Sequence, residues 1–257
     1  MEIGYRIGGG DFKEGRPSIV FVHGAGGSSL IWLSVLSPLS RKYNTIALDL
    51  PGHGQTPPPD TEVTVPGYAN WVKSALEELA AKYPDLKPGR YIMAGHSMGG
   101  AITQTFALSY PQDPAGLILV STGAKLRVAQ AIIDGIHNQF ESAVNTIVDW
   151  SFALSNEAIR EESRNLMLAA GPDGLHADFV ACDRFDLRNE LHRIEQPTLI
   201  IAGSEDQMTP PKFAAFLDEK IPDSQLVVMP GAGHSIMAEK PKEATDLIAA
   251  FADKVFG

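Results

Sequence analysis

Apolar residues along this chain gather into short, dense runs separated by longer mixed stretches. Six runs share one character: Ser18-Ile19-Val20-Phe21-Val22-His23, Asn44-Thr45-Ile46-Ala47-Leu48-Asp49, Arg90-Tyr91-Ile92-Met93-Ala94, Gly116-Leu117-Ile118-Leu119-Val120, Pro197-Thr198-Leu199-Ile200-Ile201-Ala202 and Gln225-Leu226-Val227-Val228-Met229. Successive side chains of a strand point to opposite faces, so runs that are apolar at consecutive positions predict strands of a parallel sheet covered on both sides. Between them, residues 28–41, 66–83, 97–110, 211–221 and 240–256 read as helices; in the second, Trp71, Ala75, Leu79 and Tyr83 form the stripe of a core-facing helix. Strands alternating with helices predict an α/β sheet with right-handed crossovers.

One interval breaks this rhythm. From Ala124 to Glu190 no strand-like run occurs, whereas Ile132, Ile133, Ile136 and Phe140, then Val144, Ile147, Val148 and Phe152, recur at helical spacing. The spacing predicts an insertion of about four helices, with loop signals at Gly171-Pro172-Asp173-Gly174 and Gln196-Pro197. The chain would then divide into a core of residues 1–123 and 191–257 and a helical lid of residues 124–190. Further crossover helices of a larger core are the alternative.

Composition narrows the field. A chain of 257 residues can bury a core without covalent staples, and the single Cys182 excludes an intramolecular disulfide framework. No basic partner for Cys182 is evident, so it reads as a small buried residue rather than a nucleophile. Lys and Arg number 21 against 31 Asp and Glu, a net charge of −10, and no basic run appears, which argues against nucleic-acid binding. The first residues lack an apolar segment after a basic start, and no stretch approaches the ~20 apolar residues of a membrane helix. A cytoplasmic protein without membrane association is the expectation.

The chemistry gathers where predicted strands end. Gly95-His96-Ser97-Met98-Gly99 joins a strand to a helix, the context of a nucleophile elbow that projects a Ser hydroxyl above the sheet. A Ser hydroxyl needs a base, itself oriented by an acid. Of seven His, His234 stands in Gly231-Ala232-Gly233-His234-Ser235 directly after the last strand, at the sheet edge where Ser97 would emerge. The acid is expected from a strand end between them, in Ala202-Gly203-Ser204-Glu205-Asp206-Gln207-Met208-Thr209-Pro210, where Asp206 and Glu205 both qualify. For the oxyanion, the backbone N–H of Met98 at the helix start is one donor. The second should come from His23-Gly24-Ala25-Gly26-Gly27-Ser28-Ser29, with Ala25 as the choice.

Taken together, His23-Gly24-Ala25-Gly26, Asp49-Leu50-Pro51-Gly52-His53-Gly54, Gly95-His96-Ser97-Met98-Gly99-Gly100, Gly203-Ser204-Glu205-Asp206 and Gly233-His234 closely resemble the α/β-hydrolase superfamily, within it the lid-bearing serine esterase, lactonase and carbon–carbon-bond hydrolase branch. The resemblance implies a mostly parallel eight-stranded sheet flanked by helices, with a helical lid after the sixth strand. It also implies a Ser97, Asp206, His234 triad, which selects Asp206 over Glu205. Two features depart from the pattern: Gln55-Thr56 follow the Gly-His-Gly turn where many relatives place a Ser, and the stretch before Pro17 is short, so the first hairpin is expected to be abbreviated. Branches that cleave epoxides or carbon–halogen bonds carry Asp at the Ser97 position, which leaves acyl chemistry.

The expected activity is that of a carboxylesterase acting on a small-molecule ester without metal or organic cofactor. Trp32, Ile136 and Phe140, with Ile132, Ile133, Phe152, Met167, Leu168 and Met98, are expected to line the entrance and favour an apolar substrate. The 6 basic and 11 acidic residues of 124–190 give that segment a net charge of −5, unfavourable to a polyanion such as a coenzyme A thioester. The same triad would serve a carbon–carbon hydrolase, with Arg184 and Arg188 as polar groups for a second carbonyl or as ion-pair partners of Asp183 and Asp186. It would also serve an enol-lactonase. A non-catalytic receptor on this fold has no need of a complete triad.

Overall fold

The six apolar runs and one short N-terminal segment pair into a single seven-stranded sheet in the computed structural model, which describes residues 1–153 and 156–257. The strands are β1 (Tyr5–Ile7), β2 (Ser18–Val22), β3 (Asn44–Leu48), β4 (Tyr91–His96), β5 (Pro114–Val120), β6 (Thr198–Gly203) and β7 (Ser224–Met229), in the spatial order β1-β3-β2-β4-β5-β6-β7. All neighbours are parallel except β1, which runs antiparallel to β3. The expected eighth strand is absent among the described residues, where β1 alone precedes β2. The helical insertion therefore follows the fifth strand, the place of the sixth in a sheet with a complete hairpin.

Alternation along each strand distributes the core between two layers. Val20, Val22 and Met93 face α2 (Val65–Ala80) and α3 (Met98–Ser109), whereas Ile19, Phe21, Ile92 and Ala94 face α1 (Leu33–Leu39) and α9 (Pro241–Phe256). Every residue of β2, β3, β4 and β6 is buried, as doubly apolar runs demand. Edge strand β7 departs from this: it is half-buried, with Val228 41% exposed. Thr64 caps α2 by accepting from the Gly67 N–H at 3.0 Å, and Pro66 in the first turn gives up an N–H that would have had no helical partner.

Between β5 and β6 come α4 (Gln130–Asn138), α5 (Phe140–Ser151) and α6 (Glu157–Arg184). The loop expected at Gly171–Gly174 is instead a sharp kink within α6. Gly171 takes φ +72°, which glycine tolerates, and Pro172 restarts the helix at once. These helices share a small core of their own, including Ile136, Val144, Ile147, Leu175 and Phe179. The remaining α-helices among the described residues are α7 (Pro211–Lys220) and the single turn α8 (Ile236–Glu239). Among the described residues, no helix is long and apolar enough to cross a membrane.

Candidate active site

The chain enters β3 and β4 on opposite sides of β2, so the strand order reverses there and a crevice opens at the carboxyl ends of β2 and β4. Parallel register sets Val22 opposite Gly95, which brings the loop after β2 against the turn after β4. That turn is strained. Ser97 adopts φ +53°, ψ −117°, a conformation rare for a residue with a Cβ and costing about 1–3 kcal/mol. Its surroundings hold it there: the Ser97 N–H donates to the Val120 carbonyl at 2.9 Å, and the Ser97 carbonyl accepts from the Thr122 hydroxyl at 2.8 Å. Glycine flanks the turn because nothing larger fits. A Cβ on Gly95 would stand 2.1 Å from the Gly99 carbonyl oxygen, and one on Gly99 2.3 Å from that of Val22.

His234, in the loop after β7, and Asp206, in the loop after β6, meet in a buried pair, with Nδ1 2.9 Å from Oδ2. Asp206 is also anchored by its second oxygen, Oδ1, which accepts from the N–H groups of Met208 at 2.9 Å and Thr209 at 2.8 Å. The Thr209 hydroxyl donates to Oδ2 at 2.8 Å and lies 3.2 Å from His234 Nδ1. Burial opposes ionisation of Asp206, but the facing His234 and the hydrogen bonds it receives outweigh burial and hold its carboxyl below the usual range. The acceptors around Nδ1 place the imidazole proton there and leave Nε2 free to act as a base. Glu205, the other carboxylate in this loop, accepts from the Ser204 hydroxyl at 2.9 Å and does not reach His234.

The loop after β2 is pinned at several points. The Gly24 carbonyl is 2.8 Å from His23 Nδ1 and accepts from the Gly27 N–H at 3.1 Å. Because a trans peptide directs its C=O and N–H to opposite sides, this orients the Ala25 N–H away from that bond. Gly24 packs so close to the elbow that a Cβ on it would lie 3.1 Å from the Ser97 Cβ. Met98 is fully buried at the first position of α3, where its N–H has no helical acceptor.

A model of the alpha/beta hydrolase family matches residues 19–247. The chain belongs to this family. Among curated relatives, the pimeloyl-[acyl-carrier protein] methyl ester esterase of Yersinia enterocolitica is 27% identical over 94% of this chain and 95% of its own length. A solved thermophilic esterase is 34% identical with a TM-score of 0.85, covering 98% of this chain and 94% of that one. The enol-lactonase of Burkholderia xenovorans superimposes with a TM-score of 0.89 over 98% of this chain and 96% of its own, and at 21% identity it shares the fold alone.

Within this hydrolase fold, Ser97 and His234 open onto one cavity of about 500 Å³, roofed by the inserted helices. Ile132, Ile147, Phe152, Ile159 and Met167 supply an apolar wall, and the exposed side chains of Leu33 and Trp150, 46% and 41% accessible, stand among its outer residues. Three expected lining residues lie elsewhere. Trp32 is fully buried beneath the site, its ring 4.8 Å from Phe21 and 6.5 Å from His96. Ile136 is buried in the core of the insertion, and Phe140 packs against that same core. Ile133, Leu168 and Met98 are likewise absent from the cavity wall. Helical periodicity identified the apolar faces of the insertion, but those faces divide between the cavity, with Ile132, Ile147, Phe152 and Met167, and the insertion's own core, with Ile136, Phe140 and Leu168, while Trp32 and Met98 belong to the layers packed on the sheet.

Other residues stand outside the cavity as well. Arg184 pairs with Glu62 rather than Asp183, and Arg188 pairs with Asp186 at 2.7 Å. Buried Cys182 borders the cavity, its thiol pKa pushed up first by burial and then by Asp178 and Asp183.

The sequence assigned no role to His96, Thr122, Thr209 or Asp178. His96, Thr122 and Asp178 act through hydrogen bonds to residues distant in the chain, which no local spacing reveals, and Thr209 acts through bonds to Asp206 and a contact with His234. Asp178 alone left a trace, as a carboxylate within the apolar stripe of Leu175 and Phe179.

Proposed function

We propose that this chain is a serine hydrolase that cleaves small, largely apolar carboxylic esters through an acyl-enzyme, with residues 124–190 as its lid. The buried His234–Asp206 pair opening, with strained Ser97, onto one apolar cavity carries this reading. His234 Nε2 takes the proton of Ser97 as its oxygen attacks the ester carbonyl. The N–H groups of Ala25 and Met98 stabilise the oxyanion, and His234 returns the proton to the departing alcohol. Water, deprotonated by the same His234, attacks the acyl-enzyme, and collapse of the second tetrahedral intermediate frees the carboxylic acid and Ser97. The ester-hydrolysing relatives support this assignment. Engagement of Arg184 and Arg188 with Glu62 and Asp186 weighs against carbon–carbon cleavage, which would need them in the cavity.

The test is a fluorophosphonate probe together with a panel of p-nitrophenyl esters, lactones and acyl-coenzyme A at varied salt. Labelling should map to Ser97 and neutral esters should be preferred. Ser97→Ala should lower kcat by several powers of ten without unfolding the chain. Full ester turnover in Ser97→Ala would refute the assignment, and a strong preference for acyl-coenzyme A would refute the substrate class.

A further inference from the structure

A carboxylate on the inserted helices is bound to the oxyanion loop. Asp178, in the second half of α6, has a side chain with no solvent exposure. Its Oδ2 accepts from the Gly26 N–H at 2.9 Å, and its Oδ1 accepts from the Tyr68 hydroxyl at 2.8 Å. His53 Nε2 lies 2.9 Å from the same Oδ2, a close ionic contact not aligned as a hydrogen bond. The partners come from three separate parts of the core: the loop after β2, the helix α2, and the Pro51-Gly52-His53-Gly54 turn after β3.

A buried carboxylate is costly unless its charge is matched and its oxygens are hydrogen-bonded. His53 provides the match. Its Nδ1 is 3.1 Å from the Pro51 carbonyl and its Nε2 faces Asp178, so both ring nitrogens look onto acceptors and both suit a proton. The other groups acting on this pair are His23, whose ring centroid is 5.0 Å from that of His53, and Asp49, Tyr68 and Cys182. With His53 protonated, the facing carboxylate leaves little net charge near a developing oxyanion.

The bond to Gly26 matters for its position in the loop. Gly24 is held from one side by His23 and Gly27, and Ser29 by Asp49 Oδ1, which accepts its N–H at 2.7 Å. Between these anchors stands the Ala25–Gly26 peptide, and Gly26 itself takes φ +63°. The core does not hold this peptide alone. Asp178 takes its N–H, and Leu175, one turn earlier on the same helix, approaches so closely that a Cβ on Gly26 would lie 2.4 Å from its Cδ1.

We propose that Asp178 is a positioning residue that completes the oxyanion hole from the lid: by holding the Gly26 N–H it fixes the peptide next to Ala25, so the hole is fully formed only when the inserted helix is seated. This rests on the reading of Ser97 as nucleophile and Ala25 as oxyanion donor. A loop released at Gly26 would still bind the ester but would hold the oxyanion less well, which predicts a loss in kcat rather than in KM.

The test compares Asp178→Asn and Asp178→Glu with Tyr68→Phe. The last removes a hydrogen bond from the same carboxylate but leaves Gly26 alone. With p-nitrophenyl butyrate, Asp178→Asn should lose about 10- to 100-fold in kcat with KM within about threefold. A trifluoromethyl ketone, whose tetrahedral adduct places an oxyanion in the hole, should lose affinity for the variant by a similar factor. Tyr68→Phe should lose far less of either, whatever its effect on thermal stability. Should Asp178→Asn fail to fold, Asp178→Glu retains the charge while displacing the carboxylate, and the same split between kcat and KM is expected of it. Folded Asp178 variants with near-parental kcat and ketone affinity would overturn the proposal, as would losses that track melting temperature equally in all three variants. Failure of the parent chain to label at Ser97 or to bind the ketone would instead remove the underlying serine-hydrolase reading.

Discussion

His96 Nε2 lies 3.0 Å from the carbonyl oxygen of His234, so the residue before the proposed nucleophile is tied to the backbone of its proposed base. The two imidazole rings stand 4.8 Å apart, and His96 rests edge-on to Trp32 on its other side. As a neutral ring with its proton on Nε2, His96 joins the loop after β7 to the elbow after β4. The geometry between Ser97 and His234 thus depends on a bond outside the proposed triad.

Replacement of His96 by Phe keeps an aromatic ring against Trp32 but leaves a buried carbonyl without its donor. The expected cost is about 1–3 kcal/mol of stability. A kcat reduced about tenfold with little change in KM should accompany it, because the base loses its tether while the cavity wall is preserved. Thermal denaturation and steady-state kinetics on one short-chain ester check both effects.

Two buried imidazoles make the fold sensitive to acid. Burial, and then the facing His53, lowers the His23 pKa from 6.5 to about 4; burial, and then the facing His234, lowers that of His96 to about 3. Both groups bind protons more readily in the unfolded chain. Their stabilisation is therefore complete above pH ~6.5 and is lost as pH falls toward 3–4, on the order of a few kcal/mol in total. His53, whose pKa is raised by Asp178 against the opposing effect of burial, acts in the other direction: its contribution is present below the unfolded value and lost as pH rises through the folded one. Urea unfolding between pH 7.5 and 4 should show stability falling with acid, and His96→Phe should flatten that slope. An unchanged slope in the variant would contradict the assignment.

Glycines that look alike in sequence should respond in opposite ways. An Ala at Gly99 would set its Cβ 2.3 Å from the Val22 carbonyl oxygen, at the end of β2, and 2.6 Å from that of His23, the first residue after it. The expected result is a loss of about 3 kcal/mol or more and an inactive elbow. Gly174, in the second half of α6, would place a Cβ no closer than 4.0 Å to its neighbour, Ala170 Cβ. Gly174→Ala should stabilise by up to about 1 kcal/mol through helix propensity alone. Melting temperatures of the two variants measure the contrast.

Strands and helices of the sheet domain were legible because burial on both faces and a single apolar stripe each leave a distinct period. The elbow, the acid loop and the histidine loop were legible because strained or crowded backbone demands glycine, as at Gly95, Gly99 and Gly203, where an added Cβ would meet carbonyl oxygens at 2.1, 2.3 and 2.2 Å. The short β1 carried too few residues to show a period. Periodicity in the insertion gave the apolar face of each helix but not its partner, so Ile136 and Phe140 were placed on the cavity instead of in the insertion core. Trp32 illustrates the same limit, since a large apolar residue beside the loop after β2 can face the site or the layer below it. Asp178 required knowledge of which loop an inserted helix would meet.

The orientation of Asp206 allows a definite prediction for its amide. Oδ1 accepts two backbone N–H bonds, from Met208 and Thr209, whereas Oδ2 faces His234 Nδ1 and the Thr209 hydroxyl. In Asp206→Asn the carbonyl oxygen must stay with the two backbone donors, because an NH₂ group there would oppose both of them. The NH₂ then faces His234 and donates to Nδ1, which moves the ring proton to Nε2. An imidazole in that tautomer cannot accept the proton of Ser97. With the loop still pinned at Oδ1 and the volume unchanged, folding should persist while kcat falls about 10⁴-fold, the scale seen where a triad acid is replaced by its amide. Reaction of Ser97 with the fluorophosphonate should slow in parallel. A circular dichroism spectrum and melting temperature close to the parent, combined with near-parental turnover, would show that the Asp206–His234 pair does not set the tautomer of the base.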